Sequence, residues 1–311
     1  MRIAVLADIH GNLAALNAVL DDARVHGAEQ FILAGDYIFD LPWSNEVTET
    51  IQSLESAAVI LGNKEGYLPG LLSEHREGWV YEQFGSMVQT VRDMKPENAE
   101  YLLNLPQSAT ALLPSGRKVY IRHWFSEFGI SGKTEAISAK MFREATQNRS
   151  FDRDAFMRGV HDFLQRPAIV DMVSAIDADA VVFGHTHLQW HGTCGGKLVL
   201  NPGSCGQPLD GDNHSAYTLL TDTSEGLLVE ERRVSYDVES VIRKAKQSAV
   251  YRQGRVWVEL VFAAMRSGFD TFGPFFGLAE KLANERGQSG IPYSNEVWNL
   301  SYERYWAGER A

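Results

Sequence analysis

Along the first 65 positions apolar residues come in short runs, and each run stops at a polar residue. Residues 2–7, RIAVLA, give way at once to Asp8, His10, Gly11 and Asn12, the pattern of a buried strand ending in a loop. From Asn12 the period changes. Leu13, Leu16, Val19 and Leu20 recur at helical spacing, Asn12 is placed to cap the helix, and Gly27 follows its end. The same grammar returns in FILAGD at 31–36, with a helix from about Ser44 to Ser56, and again in AAVILGN at 57–63. Three such units predict a βαβαβ start, hence an α/β sheet with right-handed crossovers.

Residues 66–104 lack strand alternation and carry helical patterns at 67–72, 83–94 and 96–103, which reads as a helical insertion. SATALLP and KVYIRH, separated by Ser115-Gly116-Arg117, predict a hairpin that delivers His123 at its exit. A second helical stretch, 134–176, leads to the strand AVVFG at 180–184. QWHGT, KLVLN, SAYTLLT and LLVEERRVSYD then read as short strands that form a second sheet or extend the first. From about Val238 the pattern is helical and rich in aromatics, among them Trp257, Phe262, Phe275 and Trp298. The expected organisation is a core over 1–237, with helical insertions near 66–104 and 134–176, and a helical C-terminal cap over 238–311.

Composition changes this picture little. Hydrophobic residues at 44% and charged residues at 22% are ordinary for a globular protein of 311 residues and exclude disorder. A formal charge of -11 argues against a nucleic-acid partner, although a divalent metal would dominate the field in any site it occupied. The N-terminus has one basic residue and an apolar run of five, too short for a signal-peptide core, and no run reaches the ~18 apolar residues of a membrane span. Cys194 and Cys205, with no CxxC spacing, read as two inert thiols in a reduced cytoplasm.

The candidate chemistry sits where the runs end. Asp8-Ile9-His10 sets a carboxylate and an imidazole on one side of an extended segment, because side chains alternate with period two. Gly35-Asp36 and Gly62-Asn63 end the next two strands, although such residues ordinarily serve as caps or turns. Gly184-His185-Thr186-His187 follows AVVF directly. Two imidazoles at i and i+2 converge on a metal when extended, and Gly184 lets the backbone come close. In parallel α/β sheets ligand sites gather at the carboxyl ends of strands, where all seven of Asp8, His10, Asp36, Asn63, His123, His185 and His187 fall. Carboxylate, imidazole and amide together suit Mn²⁺, Fe²⁺, Zn²⁺ or Ni²⁺ and exclude a thiolate site. His26, His75, His161, His191 and His214 show no partnered spacing and are read as non-ligands.

The series DIHGN, GD, GN, a strand-end His and GHTH resembles the calcineurin-like metallophosphoesterase superfamily. GDYIFDLPWSNEV and NPGSCGQPLDGDNHSAY are similar to its small bacterial phosphoesterases. The resemblance covers 1–65, 118–123 and 180–222, and implies a two-sheet α/β/β/α sandwich of the metallophosphoesterase type. It implies one metal held by Asp8, His10, Asp36 and His187 and a second held by Asp36, Asn63, His123 and His185, with Asp36 as the bridge. The implied cofactors are two divalent ions, Mn²⁺ first, with Fe, Zn or Ni as alternatives. Bridged ions roughly 3.5–4 Å apart clamp a phosphoryl group while a water activated by them attacks. The implied activity is hydrolysis of a phosphomonoester, a phosphodiester or a nucleotide pyrophosphate bond in a small phosphorylated or nucleotide substrate. The Asn201-Pro202-Gly203-Ser204 loop is read as shaping the site from below.

Two positions depart from the family. GNKE places Lys64 where many members have a histidine that protonates the leaving oxygen, so Lys64 is the candidate catalytic residue, as proton donor or as a point charge on phosphate, against the alternative of a surface lysine. Trp124 follows His123 where members commonly have glycine. It is read as a packed core ring, with stacking on a base or narrowing of a pocket as the alternative. The rival to an enzyme is a non-catalytic scaffold of the same fold, which would have no need of seven intact ligand positions. The sequence leaves a homo-oligomer open.

Overall fold

The three N-terminal apolar runs become β1 (Arg2–Leu6), β2 (Gln30–Leu33) and β3 (Ser56–Val59), paired in parallel in that order. The computed structural model describes residues 1–73, 77–124, 150–288 and 290–309. Helices α1 (Leu13–Val25) and α2 (Ser44–Gln52) make the two crossovers. Asn12 Oδ1 caps α1 by accepting from Ala15 N at 3.2 Å. Helix α2 stops short of the expected Ser56 because Ser56 already pairs with Phe31 in the sheet.

The later strands are β4 (Ser108–Leu112), β5 (Lys118–Arg122), β6 (Ala180–Val182), β7 (Gln189–Cys194), β8 (Lys197–Pro202), β9 (Ser215–Asp222) and β10 (Leu227–Val234). They do both things left open by the sequence. One five-stranded sheet runs β10-β9-β1-β2-β3 and the other β4-β5-β6-β8-β7, so β9 and β10 extend the first while β7 and β8 complete the second.

Alternation within the strands assembles the layers. Ile3, Val5 and Ile32 face the second sheet and pack with Val119, Ile121, Ala180 and Val182. Ala4, Leu6 and Leu33 face the other way, onto Leu16, Val19 and Leu20 of α1. Helices α6 (Arg153–Leu164) and α7 (Pro167–Ala175) cover the outer face of the second sheet through Phe156, Val160 and Val173 against Val181 and Val199. The result is a two-sheet α/β/β/α sandwich whose central strands are buried on both faces.

The expected insertion at 66–104 contains α3 (Leu68–Leu72), α4 (Gly85–Asp93) and α5 (Pro96–Leu103). Residues 134–149 of the second helical stretch lie outside the described residues, as does His75. The C-terminal segment holds α8 (Val238–Ala245), α9 (Ala249–Gln253), α10 (Arg255–Ser267), α11 (Phe272–Asn284) and α12 (Asn295–Trp306). Their aromatics form a core of their own around Phe275 and Trp298, while Val258, Phe262 and Met265 of α10 bury Leu41 from the loop after β2. Among the described residues no helix is long and apolar enough to cross a membrane. Cys194 and Cys205 are buried and unpaired.

Candidate metal centre

Asp8 and His10 leave β1, Asp36 leaves β2, Asn63 leaves β3, His123 leaves β5, and His185 and His187 leave β6, so two parallel sheet edges deliver all seven to one place. The backbone there is held by hydrogen bonds between loops. Asp8 N donates to Gly35 O at 3.0 Å, Ile9 N and His10 N donate to Asp36 O, and Gly184 N donates to His123 O at 3.0 Å.

This clamping enforces an unusual conformation. Among the described residues the non-glycine positions with positive φ are Asp8, His10, Asp36, Phe39, Asp40, His185 and His187, with φ of 52–69°. Asp and His tolerate the left-handed region better than most residues, yet it costs roughly 1–2 kcal/mol each. Strain held by surrounding hydrogen bonds is characteristic of functional sites. The finding corrects the extended geometry expected for Asp8-Ile9-His10 and His185-Thr186-His187: left-handed turns, and not strand alternation, aim these side chains.

The side chains fall into two groups able to hold an ion, Asp8 with His10 and His187, and Asp36 with His123 and His185, in each of which the ligand atoms lie within 4.8 Å of one another. Thus His185 and His187 separate, one to each group. In the first, His10 Nε2 is 3.0 Å from His187 Nε2, and His187 Nε2 is 3.4 Å from Asp8 Oδ1. In the second, His123 Nε2 is 3.4 Å from Asp36 Oδ2, and Asn63 Oδ1 is 3.1 Å from His123 Nε2 and 2.7 Å from His185 Nδ1. Asp36 Oδ2 also lies 4.0 Å from His10 Nε2, which places its carboxylate between the groups.

Partners behind the rings decide which nitrogens face inward. His123 Nδ1 is 2.6 Å from Ala34 O, and His187 Nδ1 is 2.6 Å from Gln207 O. A nitrogen facing a carbonyl carries the proton, so in the neutral form of each ring, the form that binds a metal, Nε2 presents its lone pair to the site. His10 Nδ1 sits 2.9 Å from Asp40 Oδ2, a close contact whose alignment falls short of a hydrogen bond. With its proton there, His10 too points a lone pair at that of His187. Lone pairs converging with two buried carboxylates repel unless a cation stands among them. The donor set therefore fits borderline divalent metals.

The buried groups also shift one another's titration. Burial pushes the Asp8 carboxyl up to about 7, with Asp36 adding to it. Against its own burial, Asp36 is held below the usual carboxylate range by the charge and hydrogen bond of His123. Asp36 and Asp8 in turn lift His123 to about 10 despite burial. Burial, with the charge of His123, brings His185 down to about 4, and burial also lowers His187.

Glycines allow the crowding. A Cβ on Gly62 would stand 2.2 Å from Asp36 Oδ1, and one on Gly184 2.8 Å from Asp8 Oδ2. With Gly184 in place, His185 N donates to both Asp8 oxygens at 3.0–3.1 Å. Ser204 Oγ donates to Asp8 O, and Asn201 Nδ2 donates to Gly184 O, so the Asn201–Ser204 loop braces the site from behind.

Three contributors are not among the residues the sequence singles out. Glu65 is 2% exposed and accepts from Asp36 N, Tyr37 N and Gly62 N at 2.7–3.0 Å, tying the loops after β2 and β3 together. Asp40 is fully buried behind His10, and Trp257 Nε1 donates to Asp40 Oδ1 at 2.7 Å. The final E of GNKE was the available signal for Glu65. Nothing local marks Asp40 or Trp257, which meet across more than two hundred residues.

Lys64 is no surface lysine. Its side chain is 14% exposed and its Nζ lies 3.1 Å from both Asp40 oxygens, whose charge, with that of Asp36, raises its pKa against its burial. Trp124 corrects the expectation of a core ring. It stands one residue beyond His123, off the end of β5, is 40% exposed, and has its ring 6.1 Å from that of His185. His26, His161, His191 and His214 stand outside both groups; His191 Nδ1 instead contacts Glu231 at 2.8 Å.

Against known proteins, residues 1–189 match the family described as calcineurin-like phosphoesterase. An uncharacterized protein of Methanocaldococcus jannaschii is 27% identical over 259 residues, which is 78% of this chain and 90% of that one. Two solved structures share the fold. A metallophosphoesterase from Sphaerobacter thermophilus has a TM-score of 0.58 at 21% identity, over 86% of this chain and 99% of its own. A hypothetical protein from Pyrococcus horikoshii has a TM-score of 0.62 at 17% identity, over 87% and 99%. Because the family match begins in the first strand, takes in more than half of the chain and runs past His187, this protein belongs to the calcineurin-like phosphoesterase family and is a metal-binding phosphoric ester hydrolase.

Proposed function

We propose that the chain hydrolyses a small nucleotide or aryl phosphate at a bond whose leaving group departs without a strong acid, a nucleotide pyrophosphate bond or an aryl diester, using two divalent metals. Asp8, His10, Asp36 and His187 would hold one ion, and Asp36, Asn63, His123 and His185 the other, with Asp36 shared. The observation that carries this reading is the position of Asp36 Oδ2 between the inward-facing nitrogens of His123 and His10, at 3.4 and 4.0 Å. When bound, such a pair of ions activates water and neutralises charge on the phosphoryl oxygens. The chain's own side chains fix the ligands, and Lys64, anchored on Asp40, offers a standing positive charge beside the site.

The leaving-group preference follows from Lys64. An ammonium committed to a buried carboxylate is a poor proton donor, whereas a departing phosphate or phenolate needs no proton. The exposed ring of Trp124 beside His185 supports a substrate with a base or aryl group to stack. We take Mn²⁺ as the metal and the cytoplasm, which keeps buried cysteines as thiols, as the compartment. We also propose residues 1–237 as the hydrolase core and 238–311 as its cap.

The test is a substrate panel with the purified chain and Mn²⁺. Nitrophenyl diesters and nucleotide pyrophosphates should be cleaved, alkyl monoesters far more slowly, and excess chelator should stop the reaction. Lys64→Met should lower kcat by about 10- to 100-fold with metal content unchanged. A metal-loaded chain inert towards the whole panel would rule the reading out.

A further inference from the structure

Trp257 carries a polar contact from the C-terminal helices to the support of the metal centre. Asp40, 1% exposed, accepts from Trp257 Nε1 at 2.7 Å on Oδ1, has Lys64 Nζ 3.1 Å from both oxygens, and has His10 Nδ1 in close contact 2.9 Å from Oδ2. A buried carboxylate is tolerated only when its lone pairs are engaged, so each contact constrains the others. The indole has a single donor, and here it is spent on Asp40. The Trp257 ring packs on Phe272 at 4.7 Å between centroids, and its face lies 5.4 Å from Lys64 Nζ. Independently, Leu41, next to Asp40, is buried among Val241, Val258 and Phe262 of the C-terminal helices. Two adjacent residues of the loop after β2 are therefore held by the C-terminal segment, one by packing and one by a hydrogen bond.

We propose that Trp257 is a positioning residue of the hydrolytic centre: its N–H fixes Asp40, and Asp40 fixes the His10 ring and the Lys64 ammonium. The C-terminal helices are then part of the catalytic apparatus. The proposal rests on the two-metal reading above.

Trp257→Phe keeps an aromatic ring for Phe272 and Lys64 to pack against and removes the N–H together with part of the indole's volume, a loss the packing control below accounts for. Apo protein prepared with chelator and titrated with Mn²⁺ by calorimetry should bind the ion about 3- to 10-fold more weakly in the variant, a loss of the kind expected when support behind a ligand is removed. In the nitrophenyl diester assay kcat should fall about tenfold with KM within about twofold. Phe272→Leu, which loosens the packing of the same indole without touching its N–H, should leave Mn²⁺ binding unchanged. Wild-type affinity and kcat in Trp257→Phe would overturn the proposal, and so would an equal loss in Phe272→Leu, since packing would then be the cause. If Trp257→Phe does not fold, Asp40→Asn decides, and Mn²⁺ binding at wild-type strength in that variant overturns the proposal. Failure of the wild-type chain to bind Mn²⁺ would instead strike down the two-metal reading itself, and this proposal with it.

Discussion

Asp36→Asn should lower kcat by at least about 10³-fold, equivalent to about 4 kcal/mol of lost transition-state stabilisation, while leaving the chain folded. The substitution is nearly isosteric, and asparagine tolerates the φ of 58° found at this position. The backbone bonds made here survive: Asp36 N to Glu65, and Asp36 O to Ile9 N and His10 N. The side-chain oxygen that accepts from Lys64 N at 2.8 Å also has a counterpart in the amide. What is lost is the charge, on the carboxylate proposed above as the shared ligand. Asp8 gains from the change, since the neighbouring Asp36 charge is one reason its carboxyl is pushed up. His123 loses by it, since the Asp36 charge is the main reason its pKa is raised, so the two effects oppose and the melting temperature should stay near that of the wild type as activity collapses. Steady-state kinetics with a thermal melt check both halves, and a variant retaining more than a tenth of wild-type kcat would contradict the assignment of Asp36 as the shared ligand.

The largest effect on stability belongs to Glu65. Its two oxygens accept from three backbone N–H groups, and these donors have no water to turn to when the side chain is cut back. Glu65→Ala should cost about 3–6 kcal/mol, at roughly 1–3 kcal/mol for each buried donor left unpaired with partial relaxation. Glu65→Gln should cost less, because one oxygen remains but an amide N–H is turned towards backbone donors. Urea unfolding reads the difference as a shift in midpoint at constant slope. A midpoint for Glu65→Ala within error of wild type would show that the loops after β2 and β3 do not depend on this carboxylate. Since those loops carry Asp36 and Asn63, the same variant should lose metal affinity as well as stability.

Much of this was legible in the chain because each unit announces itself locally. RIAVLA, FILAGD and AAVILGN end at their first polar residue, and a strand's end is where a parallel sheet builds its sites, so Asp8, Asp36 and Asn63 could be placed before any fold was known. The i, i+2 spacing of His185 and His187 marked them as ligand-type residues but misled about how they meet, since strand alternation was assumed where the backbone turns left-handed. Trp124 departs from expectation for a related reason. Its hydrophobicity argues for burial, whereas its place two residues past β5 takes it out of the core. Asp40 and Trp257 could not be found at all, because a hydrogen bond across more than two hundred residues leaves no periodicity in either segment. The same holds for the split of the late strands, where β9 pairs with β1 and β8 with β6 by long-range register.

If the residues leaving five strand ends form two ion sites sharing Asp36, the purified chain must hold both ions. Elemental analysis of the purified chain after saturation with Mn²⁺ and removal of free metal tests this most directly. About two metal ions per chain, falling in Asp36→Asn, is the predicted result, and a wild-type chain that retains none would contradict it.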